Sequence, residues 1–201
     1  MLTHQNISTK EKILNTSARL FANNSYDKIS MRNIADDVGI KAASIYNHFK
    51  SKKDILRTLY KFYAIHHRKT APDLNELLLL AETAPPLDVL MKLDYRYTPQ
   101  TEEIMNQILV IAHKELCSDP DSELLIRKNI FGSWTNSVVI LIKKMTDLGK
   151  IEPVDVKSLT HVLTFYTFSV AVLNNSSLKT SLEEWQNGLR LIFSIIKPTC
   201  P

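Results

Sequence analysis

The run Lys41-Ala42-Ala43-Ser44-Ile45-Tyr46-Asn47-His48-Phe49-Lys50-Ser51-Lys52-Lys53 gathers side chains suited to reading a polyanion. Ser44, Tyr46 and Asn47 carry hydrogen-bonding tips, and an Asn amide can pair bidentately with the edge of adenine. Ala42 and Ala43 are small enough to let a backbone approach bases closely. Lys50, Lys52 and Lys53 attract phosphate, as do the free amides of a helix start. The charge of the chain points the same way. Residues 1–70 hold 13 Lys+Arg against 5 Asp+Glu, and residues 71–201 hold 12 against 16, so a +8 front precedes a −4 remainder. That asymmetry suggests two modules, the first with a polyanionic partner. A solvated surface turn with ordinary lysines is the bland alternative.

Catalytic or metal chemistry finds less support. His113 and Cys117 stand at i, i+4 but lack two further ligands at usual spacing, so a satisfied His beside a buried Cys is the expectation. His66-His67 cannot both face one site on a helix. Glu102-Glu103 complement a helix N-terminus. The chain has no G-x-S-x-G, P-loop or H-E-x-x-H pattern. It is expected not to be an enzyme and to need no cofactor or metal. Cys117 and Cys200 lie far apart, which suits free thiols in a reducing cytosol. The opening residues show no basic-then-apolar run, so no secretory leader is expected. The apolar stretch Val162 to Leu173 is interrupted by Thr164, Tyr166, Thr167 and Ser169, and is expected to fall short of a membrane span. A cytoplasmic location with no membrane partner follows as the expectation.

The elements that must hold the basic run are legible from their caps. With only 4 Gly, long 3.6-residue patterns predict an all-α fold. Ser8-Thr9-Lys10-Glu11 is a capping box, and Ile13, Leu14, Ser17, Ala18, Leu20 and Phe21 form one face of a helix over roughly 9–22. Ser30 caps a short helix with Met31, Ile34, Ala35 and Val38 on one face, stopped by Gly39. A third helix runs from about Lys41 to His48. At 100° per residue, pointing Ile45 at the core brings Phe49 and Ala42 near that side and turns Ala43, Ser44, Tyr46 and Asn47 away. Two short helices joined by a Gly turn make a helix-turn-helix, whose second helix fits a major groove. Ser51 opens a fourth helix, about 52–70, by a capping box with Asp54.

Residues 9–60 closely resemble the DNA-binding domain of the tetracycline-repressor (TetR) family. The matching positions are Phe21-Ala22, Tyr26, Ser30-Met31-Arg32-Asn33-Ile34-Ala35, Val38-Gly39-Ile40, Ile45-Tyr46-Asn47-His48-Phe49 and Lys52. The resemblance implies DNA binding, with Ser30 and Arg32 in the contact set. Tyr46, His48 and Lys52 would touch phosphates, and Lys41, Ala42, Ser44 and Asn47 would face bases. Two positions depart from the family pattern. Ser25 replaces the usual Gly, so Asn24 or Ser25 must absorb any left-handed geometry there. Lys41 replaces the usual polar cap, exchanging a cap for a charge.

Beyond residue 70 the residues speak for themselves. Helices are expected over Asp73–Thr83, Leu87–Tyr97, Pro99–Cys117, from Asp119-Pro120 to a stop at Gly149, Pro153–Asn174, and Ser181–Ile196, the last opened by a Ser181/Glu184 capping box. The total is about nine or ten helices in two domains, a helix-turn-helix domain over 1–50 and a helical effector-binding and dimerisation domain over 51–201. The last two helices carry more apolar surface than one core can cover, with Leu191 and Ile195 forming a second stripe. A two-fold contact between copies would bury it, through Phe165, Leu191 and Ile195. Tyr63, Met91, Tyr95, Met105, His113, Trp134 and Tyr166 are candidates to line a small-molecule pocket, for a neutral or lipophilic effector. The resemblance then implies a homodimeric regulator, most often a repressor, that binds a palindromic double-stranded operator and releases it when the effector binds. The alternatives are a constitutive DNA-binding regulator without an effector and, more distantly, a helical lipid- or cofactor-binding protein.

Overall fold

The computed structural model describes residues 7–93, 99–116, 118, 120–173 and 182–195. All the regular structure among them is helical. The first three elements follow their caps. Helix α1 (Thr9–Asn23) opens with Ser8 and Glu11 satisfying each other's backbone amides. Helix α2 (Met31–Val38) opens with the same reciprocity between Ser30 and Asn33. It ends at Gly39, whose φ of 78° is left-handed, with Ile40 N–H bonded to Ala35 O and Gly39 N–H to Asp36 O. That double closure is a Schellman turn, which a side chain with a Cβ would strain. Helix α3 keeps one α-turn, Ala42–Ile45, and continues to His48 by i→i+3 bonds from Asn47 to Ser44 and from His48 to Ile45. Between α1 and α2 a 3-10 turn covers Tyr26–Lys28. No left-handed residue is needed there. Asn24 has φ −126° and Ser25 φ −66°, because the 3-10 turn reverses the chain with ordinary backbone angles.

Helix α4 (Lys52–Thr70) leads away from the head. Ser51 accepts the Asp54 amide, but Asp54 reaches back to the Lys50 amide instead of Ser51, so the box is offset by one residue. Helices α5 (Leu74–Thr83), α6 (Pro86–Met91) and α7 (Pro99–Glu115) follow. Helix α6 is shorter than the periodicity predicts, and Tyr95 lies outside the described residues. The single helix predicted from Pro120 to Gly149 is two helices, α8 (Pro120–Ile126) and α9 (Gly132–Asp147), joined by a π turn over Arg127–Phe131. Asn129 supplies a reason. Its side-chain amide donates to Leu125 O at 2.8 Å, taking the acceptor its own backbone would use. Helices α10 (Val156–Leu173) and α11 (Leu182–Ile195) complete the chain. The expected Ser181 cap lies outside the described residues.

Two apolar clusters hold these helices. The first runs through the head, with Ile13, Phe21, Ile34, Ile45 and Phe49, and continues across residue 50 into Leu59 and Tyr60 of α4, Met105 and Ile108 of α7, and Phe131. The second joins α5, α6, α9, α10 and α11 around Leu77, Leu90, Trp134, Leu141, Leu163 and Trp185. Helix α10 contributes to both, through Phe168 and Leu163. By length and mean hydropathy (1.3) α10 is apolar enough to cross a membrane, a threshold the sequence reading placed out of reach. The interrupting hydroxyls weigh little in that average.

Candidate nucleic-acid interface

Helix α3 is held from beneath. Ile45 is fully buried and Phe49 nearly so, both in the first cluster. With those two anchored, Lys41, Ala42, Ala43, Tyr46, Asn47 and His48 are exposed together and Ser44 is half-buried. Tyr46 stands 57% exposed. The face is small at its start, polar along its length and positive at its edges. It can approach a groove closely and offer Asn47 and Ser44 to base edges, with Tyr46 and His48 beside the backbone.

The flanking residues divide in two. Arg32, exposed on α2, lies 4.0 Å from the equally exposed Asp36, a pairing too weak to withhold it from a phosphate. Lys41 and Lys50 are exposed. Ser30 is exposed, but its hydroxyl is engaged with Asn33 as the helix cap. Lys52 turns inward. Its ammonium donates to Tyr26 O at 2.6 Å and lies 4.0 Å from the centre of the Tyr26 ring. Burial lowers its pKa. Lys52 thus ties α4 to the 3-10 turn, and its ammonium would have to leave that carbonyl to reach a phosphate. Lys53 is paired with Asp121 of α8 at 2.9 Å. Nothing in the sequence pattern distinguished these two lysines from Lys50, because their partners are 26 and 68 residues away.

The head is docked on the body. Helix α1 packs against α7, and the Lys114 ammonium donates to the carbonyl of Ala22 at the end of α1. Helix α4 packs against the π turn.

Of the seven residues expected around an effector, five are divided between the clusters, and Tyr95 lies outside the described residues. Tyr63 and Met105 are buried in the first, while Trp134 is buried in the second with Met91 and Tyr166 at its margin. His113 is exposed, with its ring 6.1 Å from Phe168, and its expected neighbour Cys117 lies outside the described residues. Tyr166 has a structural partner. Its one hydroxyl proton is shared between Glu184 O at 2.9 Å and Trp185 O at 3.2 Å on α11. Among the described residues no three His, Cys, Asp or Glu side chains gather to hold a metal. Of the expected contact between copies, Phe165 is 44% and Leu191 65% exposed, joined on α10 by Val162 and Leu173. The Ile195 side chain lies outside the described set.

Residues 13–59 match the profile of the bacterial regulatory proteins, tetR family. Among curated proteins, the HTH-type transcriptional regulator YerO of Bacillus subtilis is 34% identical over 83 residues, 41% of this chain and 28% of that protein. The biofilm operon icaADBC HTH-type negative transcriptional regulator IcaR of Staphylococcus aureus is 46% identical over 46 residues, 23% of this chain and 25% of its own length. The chain therefore spans about a quarter of the length of the curated relatives it matches. The whole fold is shared with the ketosteroid transcriptional regulator KstR2 of Mycobacterium tuberculosis, at a TM-score of 0.69 and 20% identity, over 99% of this chain and 100% of that one. These relatives are regulators, not enzymes.

Proposed function

We propose, for a chain whose DNA-binding domain is that of the TetR family, that it is a transcriptional regulator which binds a palindromic operator as a homodimer, represses from it, and releases it when a small molecule occupies the helical body. The observation that carries this reading is α3, pinned by Ile45 and Phe49 and presenting Lys41, Ala42, Tyr46, Asn47 and His48 outward. Exposed Val162, Leu173 and Leu191 support the dimer, since a monomer would leave them in water. Two reading heads related by a two-fold axis require half-sites one helical turn, about 34–36 Å, or a multiple of it apart. If an effector lowers operator affinity, operator must lower effector affinity by the same factor, for an ordinary coupling of ~1–3 kcal/mol.

The test is fluorescence anisotropy on duplexes from the DNA flanking the protein's own gene. With ~6–10 phosphate contacts, affinity should fall ~10³–10⁵-fold between ~50 and ~200 mM salt. Asn47→Ala should cost ~1–3 kcal/mol and relax base preference at one position per half-site. No salt-sensitive binding to any duplex would refute the reading. Operator binding that no small molecule alters would leave a constitutive regulator.

A further inference from the structure

Between the turn after α7, the start of α8, the π turn and α10 lies a cleft of ≈ 550 Å³. That volume is in the range of small-molecule sites. Leu116, Pro120, Phe131 and Phe165 wall it, and Glu123 and Arg127 stand at its polar edge. None of the six described residues among those expected from the sequence lines it. The two phenyl rings meet at 64° with centroids 5.9 Å apart, forming a corner against which a flat or narrow apolar body can pack. Arg127 donates to Glu123 through Nε alone, at 2.8 Å, with the two side chains 59% and 46% exposed. An exposed pair of this kind contributes little and is cheaply exchanged. The guanidinium can then present its fork to a carboxylate, the geometry that suits it best. One cation already faced by one carboxylate does not suit a polyanion. It suits a single carboxylate that takes the place of Glu123.

We propose that this cleft binds a small amphiphilic monocarboxylate, its apolar body against Phe131 and Phe165 and its carboxylate on Arg127. This rests on the reading of the chain as an effector-responsive regulator and gives that effector a place and a charge. The rim moves the expected ligand from neutral to monoanionic. The cleft is also well placed to act on the head. Arg127 is the first residue of the π turn, the π turn packs on α4, and Lys53–Asp121 ties α4 to α8. A ligand that draws Arg127 away from Glu123 therefore pulls on the element that supports the helix leading to α3.

The experiment is calorimetry on the full chain with 4-phenylbutyrate, indole-3-propionate and decanoate, each against its amide, alongside anisotropy on its own flanking DNA. At least one acid should bind up to ~5-fold tighter than its amide, the worth of an exposed ion pair. Arg127→Gln should erase that preference. Glu123→Gln should tighten the acid and leave the amide unchanged, because it removes a competitor and a repulsion together. Both side chains are exposed, so both variants should melt close to the parent. Equal binding of acid and amide, no binding of any acid at ~10 mM, or a preference that survives Arg127→Gln overturns the proposal. Acid-selective binding that leaves operator affinity unchanged overturns the cleft's regulatory role. Absence of DNA binding refutes the regulator reading separately, since the calorimetry needs no DNA.

Discussion

Gly188 sits inside α11, where glycine costs a helix about 1 kcal/mol relative to alanine. The structure supplies the compensation. A Cβ built at Gly188 would lie 1.9 Å from the Tyr166 hydroxyl oxygen, 2.2 Å from its Cζ and 2.8 Å from its Cε2. The phenol is there because its proton is shared between Glu184 O and Trp185 O, and Trp185 Nε1 donates back to Thr167 at 3.2 Å. Gly188→Ala must therefore displace the ring. Overpacking by one methyl costs ~1–3 kcal/mol and each lost hydrogen bond ~0.5–1.5 kcal/mol, against ~1 kcal/mol of helix propensity gained. The expected net loss is ~1–4 kcal/mol. Urea unfolding at one fixed protein concentration measures it, because the midpoint of a dimer would depend on concentration. The background decides the cause. With Tyr166→Ala in place the three atoms nearest the methyl are gone, so the same Gly188→Ala change should now stabilise by up to ~1 kcal/mol. If Gly188→Ala stabilises the parent by that amount, the Tyr166 ring does not cover Gly188 and the α10–α11 contact has been misread.

Leu191→Glu should leave the circular dichroism of the chain unchanged, because the side chain is 65% exposed, yet shift sedimentation to monomer and abolish cooperative operator binding. A variant that stays dimeric refutes Leu191 as part of a contact between copies. His67 is buried and its pKa is lowered by burial to about 4. The fold favours the neutral ring, so its stability contribution is whole above the unfolded pKa of ~6.5 and is lost as pH falls through about 4. Relative to His67→Gln, the parent should lose up to ~3 kcal/mol between those limits, read from urea midpoints. Parallel pH profiles would refute this. Lys52→Met should cost ~1–2 kcal/mol of stability by removing the bond to Tyr26 O, whereas Lys50→Met should leave stability within ~0.5 kcal/mol and lower only DNA affinity. Equal stability of the two variants would show that Lys52 is an ordinary surface lysine.

What the sequence revealed is what short-range rules control. Ser8, Ser30 and Gly39 act within a turn of where they stand, so α1, α2 and the turn into α3 are readable from spacing alone. The burial of Ile45 and Phe49 beneath an exposed Tyr46 and Asn47 follows from helical periodicity in the same way. The π turn was illegible because one Asn side chain, bonded one turn back, breaks a pattern that otherwise reads as continuous helix. Tyr166 looked like a pocket residue because an aromatic with a polar tip suits one. Only the approach of α11, with a glycine placed to admit it, identifies the hydroxyl as a clamp between helices. Lys52 and Lys53 looked like phosphate ligands for a related reason. A lysine's type states its charge, and the partner that takes that charge lies elsewhere in the chain.

These long-range contacts bear on how a signal could cross the molecule. The first cluster does not stop at the end of the head but continues through α4 into α7 and the π turn. Lys114 on Ala22 O, Lys53 on Asp121 and Lys52 on Tyr26 O fasten the same junction at three points. A close-packed core transmits a displacement better than it absorbs one. A head held in this way cannot swing freely on a hinge at residue 50. Any change in the separation of two α3 helices must then be a concerted tilt of α1–α4 over α7 and the π turn. A loosened linker would leave the salt bridges and the core intact, whereas a tilt must strain them. Lys53→Met should therefore change the ligand's effect on operator affinity more than the affinity itself.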